Sequence, residues 1–371
     1  MSEGDTRTVT LGLVADPGPS ATLARRVAPS VEKALARLDH RVRWKVEVRA
    51  EPLTLDPDGR LPVAERARTL DPGRDWDFVV CLTDLPRHEG RRTVLAEAAI
   101  GARAAMISLP ALGFAPLRGR LRATITDLVT LVLDPAEATG ARQGPPRGRR
   151  FRPIRREPVP GSDQDVRLVL TGWRGHTRLL LGMVRDNRPW RLVPSLSKAI
   201  AAASAAAAFG IFYPTIWAMA DALSPPRLAM ISMVAVTAMV SWLIVHNGLW
   251  ERPHEGLRRA RAGLFNLASV LTLYLGVGCM YAVLFTFTLV AATAVISGEY
   301  LETMLRHPVT LADYATLSWL SSSLGTIAGA LGSSLETEEA IHRAAYSKRE
   351  RQRRAQRRRR EDHPGTGATL E

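Results

Sequence analysis

Two rhythms of apolar residues divide this chain of 371 residues near position 199. Before it, apolar positions alternate with polar ones or gather in short runs, as in strands, with stretches of helical spacing between them. After it come four uncharged apolar runs, each long enough to be read as a membrane span.

In the first region TVTLGLVA, Thr8 to Ala15, reads as a strand. SATLARRVAPSVEKALARLD, Ser20 to Asp39, is a helix opened by a Ser cap, and RWKVEVRAE, Arg43 to Glu51, is an alternating strand. A short helical stretch around VAERARTL precedes DWDFVVCLTDLP, whose continuous apolar run fits a central strand. TVLAEAAI and AAMISLPAL are two further strands, joined as a hairpin through Gly101, and LRGRLRATITDLVTLVLD is a closing helix. The pattern predicts a small α/β sandwich over residues 1–140.

The apolar runs cover Ala199 to Ala220, Leu228 to Trp250, Ala262 to Gly298 and Tyr314 to Leu335. A span needs about 20 helical residues, and Pro214 predicts a kink in the first. The third run would measure roughly 55 Å as one helix, nearly twice the hydrocarbon thickness. Charge favours one span here. The loop before it carries Arg252, Arg258, Arg259 and Arg261, whereas the loop after it offers Arg306 against three acids. Four spans put all the basic segments on the cytoplasmic side, as the positive-inside rule requires. The N-terminus shows no basic segment followed by an apolar core, so no signal peptide is expected. The expected fold class is therefore an α/β cytoplasmic domain followed by an all-α transmembrane bundle of four helices, in the plasma membrane, with both termini cytoplasmic.

Between the two regions, residues 141–165 combine prolines and arginines without apolar periodicity and read as a linker. In residues 166–198, Arg167, Arg174, Arg178 and Arg185 fall within about 40° of one another on a helical wheel. Apolar residues form a neighbouring face. This predicts an amphipathic helix at the cytoplasmic interface, with the arginines among headgroups and Trp173 and Trp190 at the boundary. Gly172, Gly175 and Gly182 weaken the helix, and a short β-element before Gly172 is the alternative.

The net charge of +14 suggests nucleic acid, but its distribution does not. Lys and Arg balance Asp and Glu at 20 against 19 over residues 1–140, and the excess sits in residues 141–198 and in residues 348–371 of the tail, residues 336–371. The tail run KRERQRRAQRRRR has no aromatic residue to stack bases, so it reads as a topology anchor able to lie on anionic headgroups. The expected partners are the lipid bilayer and another membrane or cytoplasmic protein, with no nucleic acid. In the fourth run Ser321, Gly325, Gly329 and Ser333 recur every four residues, a stripe suited to close helix packing within the chain or in a homo-oligomer.

Catalytic templates fail. HEGRR at His88 begins like a zinc-protease motif but ends on Arg92, and two cysteines, Cys81 and Cys279, offer no metal site. No Gly-rich phosphate loop and no GxSxG occurs, and the eight histidines are scattered. No cofactor or metal is therefore expected. In open α/β sheets ligands collect at the carboxyl ends of the strands, where Asp16, Thr83, Asp84 and Ser108 fall. The plainer reading makes Asp16 and Asp84 turn residues beside Pro17 and Pro86.

LTDLP at Leu82 to Pro86, SLPAL at Ser108 to Leu112, GMVRDNRPW at Gly182 to Trp190 and GALGSSLE at Gly329 to Glu336 resemble segments of uncharacterised integral membrane proteins of high-GC Gram-positive bacteria (actinobacteria). That resemblance implies membrane location and no activity. The order DFVVCLTDLP, TVLAEAA, AAMISLPAL is similar to the strands before the zinc helix of archaemetzincin-like proteins. The helix that follows has no His, so this second resemblance implies the fold without its metal. The expected role is non-enzymatic sensing, scaffolding or accessory; a transporter or channel subunit and a membrane-bound hydrolase or transferase are the alternatives.

Overall fold

A computed structural model describes residues 7–53, 75–89, 92–133, 154–159, 165–250 and 259–333. The chain divides into two compact units, Met1–Asp186 and Asn187–Glu371. The stretch around VAERARTL and the polybasic tail lie outside the described residues.

In the first unit, β1 (Thr8–Ala15), α1 (Pro19–Leu38), β2 (Arg43–Ala50) and β3 (Phe78–Thr83) are followed by β4 (Arg87–Glu89), β5 (Arg92–Ala99) and β6 (Ala104–Ser108). Then come α2 (Leu117–Leu133), β7 (Ile154–Pro158), β8 (Val166–Leu170) and α3 (Gly172–Asn187). The sheet runs β2-β1-β3-β6-β5-β8-β7, with β4 paired to β5. β2, β1, β3 and β6 are parallel, and β5 turns back antiparallel to β6 and β8. Every residue of β3 and β6 is buried, which is why their sequences run apolar without alternating. α1 turns Ala24, Val27, Ala28, Val31 and Leu35 inward at helical spacing, and it packs beside α2.

Three expectations change here. The helix start is Gly18, at φ 112°, with Pro19 as the first helical residue, so Ser20 lies buried inside the first turn instead of capping it. Residues 154–158 of the expected linker form β7, and the start of the expected interfacial segment is β8, the short β-element before Gly172 that the sequence left as the alternative. The antiparallel face of β5 needs these strands as hydrogen-bond partners, so the α/β unit extends to Asp186. Arg167 accordingly sits on β8, 3.5 Å from Glu97, which also pairs with Arg87 at 3.0 Å.

The second unit is helical: α4 (Ser197–Phe212), α5 (Pro214–Ala222), α6 (Pro225–His246), α7 (Arg259–Val295), α8 (Gly298–Leu305) and α9 (Leu311–Gly332). Pro214 breaks α4 from α5 at Tyr213, which is extended as a residue before proline prefers to be. Pro214 has no N–H for the carbonyl of Gly210, one turn back. The Trp217 indole donates to that carbonyl instead, at 2.9 Å. α6 and α7 are long and apolar enough to cross a membrane, and a third span counts if the broken helix pair that ends at Phe212 is taken as one. α7 is a single helix of 37 residues. Met230, Met233, Val234 and Val245 of α6 and Val283, Phe287 and Val290 of α7 point outward, as lipid-facing side chains do.

α9 has the length of a span but not the apolarity, because four of its 22 residues are serine. Its burial explains this composition: Ser318, Ser321, Ser322, Ser323, Gly325, Thr326 and Gly329 all face neighbouring helices. The stripe predicted from the sequence lies along α4. A Cβ on Gly329 would sit 3.0 Å from both the Ala199 carbonyl oxygen and the Ala203 Cβ, and Gly325 and Ser321 face Ala207 and Gly210. Ser333, one residue past the helix, is fully buried.

Candidate functional site

The order β2-β1-β3 makes the connections after β1 and β3 depart in opposite directions across the sheet. That is the topological switch point at which open parallel sheets hold their ligands. Asp16 leaves β1 here and is only 1% exposed. Its Oδ1 accepts the Leu53 N–H at 2.8 Å and its Oδ2 the Thr83 hydroxyl at 3.3 Å. The Thr83 Oγ1 in turn accepts the Leu85 N–H, and the Ser108 hydroxyl donates to the Leu85 carbonyl at 2.8 Å. Asp16, Thr83 and Ser108 therefore converge, as strand ends in one parallel sheet must, and they spend these bonds on pinning the loops that leave β1 and β3. Asp84 stands beside them, half-buried. Among the described residues, the hydroxyl of Ser108 is given to a backbone carbonyl and not to a base of the kind that activates a nucleophile.

The turn after β6, Leu109 to Gly113, collects three arginines. Arg120 and Arg178 both donate to the Leu112 carbonyl, at 2.8 and 3.2 Å, and Arg185 donates to the Gly113 carbonyl while pairing with Asp186 at 2.7 Å. α3 comes this close because Gly182 has no side chain: a Cβ there would collide with the Pro110 carbonyl. Burial, and then the like charge of Arg120, push the Arg178 guanidinium down to about 10. The structure thus separates residues that the helical wheel grouped. Arg178 and Arg185 turn onto their own domain, while Trp173, 73% exposed, Arg174 and Trp190, 54% exposed, stay outward.

Two polar groups in the second unit had no sequence signal. Ser232 of α6, Tyr281 of α7 and Trp319 and Ser323 of α9 share hydroxyl and indole bonds of 2.6–3.1 Å among apolar neighbours. At one end of the helices, Asp221, His307 and Asp313 bring together ligand atoms that all lie within 4.8 Å of one another. The bond to the Pro308 carbonyl, and then the Asp221 carboxylate, raise the pKa of His307 above its usual value. Neither group has a characteristic spacing, because its members come from helices or loops far apart in the chain.

No protein-family model, curated protein or solved structure matches this chain.

Proposed function

We propose that this chain is a multi-pass integral protein of the bacterial plasma membrane whose α/β domain receives a ligand or protein partner at the β1/β3 switch point and carries out no catalysis. The observation that supports this reading is the parallel sheet order, which puts the strand ends at Asp16, Thr83 and Asp84 beside the switch point, in the same chain as apolar helices of spanning length. Four spans, with both termini cytoplasmic, best fit the arginine distribution. Trp173, Arg174 and Trp190 then lie at the cytoplasmic boundary. The absence of Asp, Glu, Lys and Arg from the four apolar runs, with His246 near the end of the second as their one histidine, weighs against a proton or ion pathway.

The test is a thermal-shift screen of the full chain in nanodiscs against nucleotides, amino acids and sugar phosphates. One class should raise Tm saturably, and Asp84→Ala should abolish that rise while the ligand-free Tm stays close to wild type. Stabilisation that persists in Asp84→Ala would return Asp84 to a turn role. The part-buried hydroxyl network of Ser232, Tyr281 and Ser323 favours a second reading, a transporter or channel subunit, because it puts polar groups where the helices meet. Substrate flux in reconstituted vesicles, with no ligand stabilising the α/β domain, would select that reading.

A further inference from the structure

The His307 ring lies between two acceptors. Its Nδ1 is 3.0 Å from the Pro308 carbonyl oxygen and its Nε2 is 3.1 Å from the Asp221 Oδ1. A neutral imidazole has one N–H, so it can serve only one of them. With Nδ1–H given to the carbonyl, the Nε2 lone pair faces a carboxylate, and that contact is favourable only when a second proton or a metal cation stands between the two. A backbone carbonyl on Nδ1 is also the arrangement that orients a metal-ligating histidine through Nε2.

Asp313 supplies the third donor and is itself held. Its Oδ2 accepts the Thr310 N–H at 2.6 Å and the Thr310 hydroxyl at 2.9 Å, the capping box that opens α9. We propose that Asp221, His307 and Asp313 form a binding site for a divalent transition-metal cation of the zinc type. Two carboxylates and a neutral imidazole balance the charge of such an ion. The imidazole selects zinc-like ions over magnesium or calcium.

Three protein donors leave a fourth tetrahedral position to water. Donors about 2.1 Å from a tetrahedral ion stand roughly 3.4 Å apart, so a pair at the 4.8 Å bound would have to close by about 1.4 Å. Asp221 can rotate to do so, because its side chain is 39% exposed, as is that of His307 at 37%. The bound ion would clip the end of α5 to the loop before α9. The sequence expectation of no metal site looked for ligands at local spacing, whereas these come from positions 221, 307 and 313.

The test uses the full chain, stripped with chelator, in detergent, where both membrane faces are open and the span count does not matter. Titration with Zn2+ should show one saturable site by calorimetry and a rise in Tm, and Mg2+ should show neither. His307→Gln and Asp221→Asn should each remove the saturable site while leaving the metal-free Tm near that of wild type, since an exposed pair contributes little to stability. Zinc binding that persists unchanged in both variants would place the ion elsewhere and overturn the proposal. So would the lack of saturable binding in the wild type, which would mean that a proton alone bridges His307 and Asp221.

Discussion

At the scale of single residues, the cluster at the switch point holds its loops through hydrogen bonds that have no slack. Asp16 accepts from Leu53 and Thr83 in a site that water does not reach. Asp16→Ala would leave the Leu53 N–H buried without that acceptor, and a lost partner of this kind costs about 1–3 kcal/mol. Asp84 is only half-buried, so Asp84→Ala should cost less. Chemical denaturation of the full chain, followed by the fluorescence of buried Trp44 and Trp76 in the first unit, should show Asp16→Ala as the larger loss. Equal effects would make Asp16 an ordinary turn residue. In the helical unit Trp217 has a comparable role, supplying the donor that Pro214 removes. Trp217→Phe keeps the apolar contacts but strips that bond, and should lower Tm by the equivalent of about 1 kcal/mol, the usual net worth of a hydrogen bond.

At the scale of elements, close approach of backbones distinguishes the α4–α9 contact from the outward faces of α6 and α7. The hydrophobic effect does not draw helices together in lipid, so small side chains that allow contact over a long stripe provide the attraction. Ala199, Ala203, Ala207 and Gly210 of α4 oppose Gly329, Gly325 and Ser321 of α9. Gly329→Leu would force four heavy atoms into this seam, and overpacking typically costs about 1–3 kcal/mol. Leu331 is 65% exposed, so Leu331→Phe adds bulk where there is room. In detergent, thermal unfolding should come earlier for Gly329→Leu and stay at the wild-type temperature for Leu331→Phe. Wild-type behaviour in both variants would mean that the stripe is not a packing seam.

At the scale of the whole molecule, the proposed topology rests on the distribution of charge. A reporter active only outside the cytoplasm should be silent when fused after Glu371 and active when inserted near Glu302. Activity at the C-terminus would exclude four spans. The helical structure of residues 259–295 bears on the same question, since that run is one unbroken helix. At roughly 55 Å it exceeds the hydrocarbon core and must tilt or extend into the headgroup region on at least one side.

What the sequence determined by itself is what local periodicity and charge can encode. β3 and β6 were legible as central strands because residues buried on both faces must be apolar without alternation, and the kink at Pro214 follows from a missing N–H. The strand-end cluster could also be anticipated, since it needs only the position at which each strand stops. The tertiary structure alone decided matters of pairing. Nothing local in the Arg- and Pro-rich residues 154–158 marks a strand; β8 supplies the partner that makes it one. Helical periodicity put Arg167, Arg178 and Arg185 on a single face, yet β5 claims the first for the sheet and the turn at Leu112 and Gly113 draws in the other two. Asp221, His307 and Asp313 share no spacing at all, because side chains from separate loops meet only when the helices that carry them have packed.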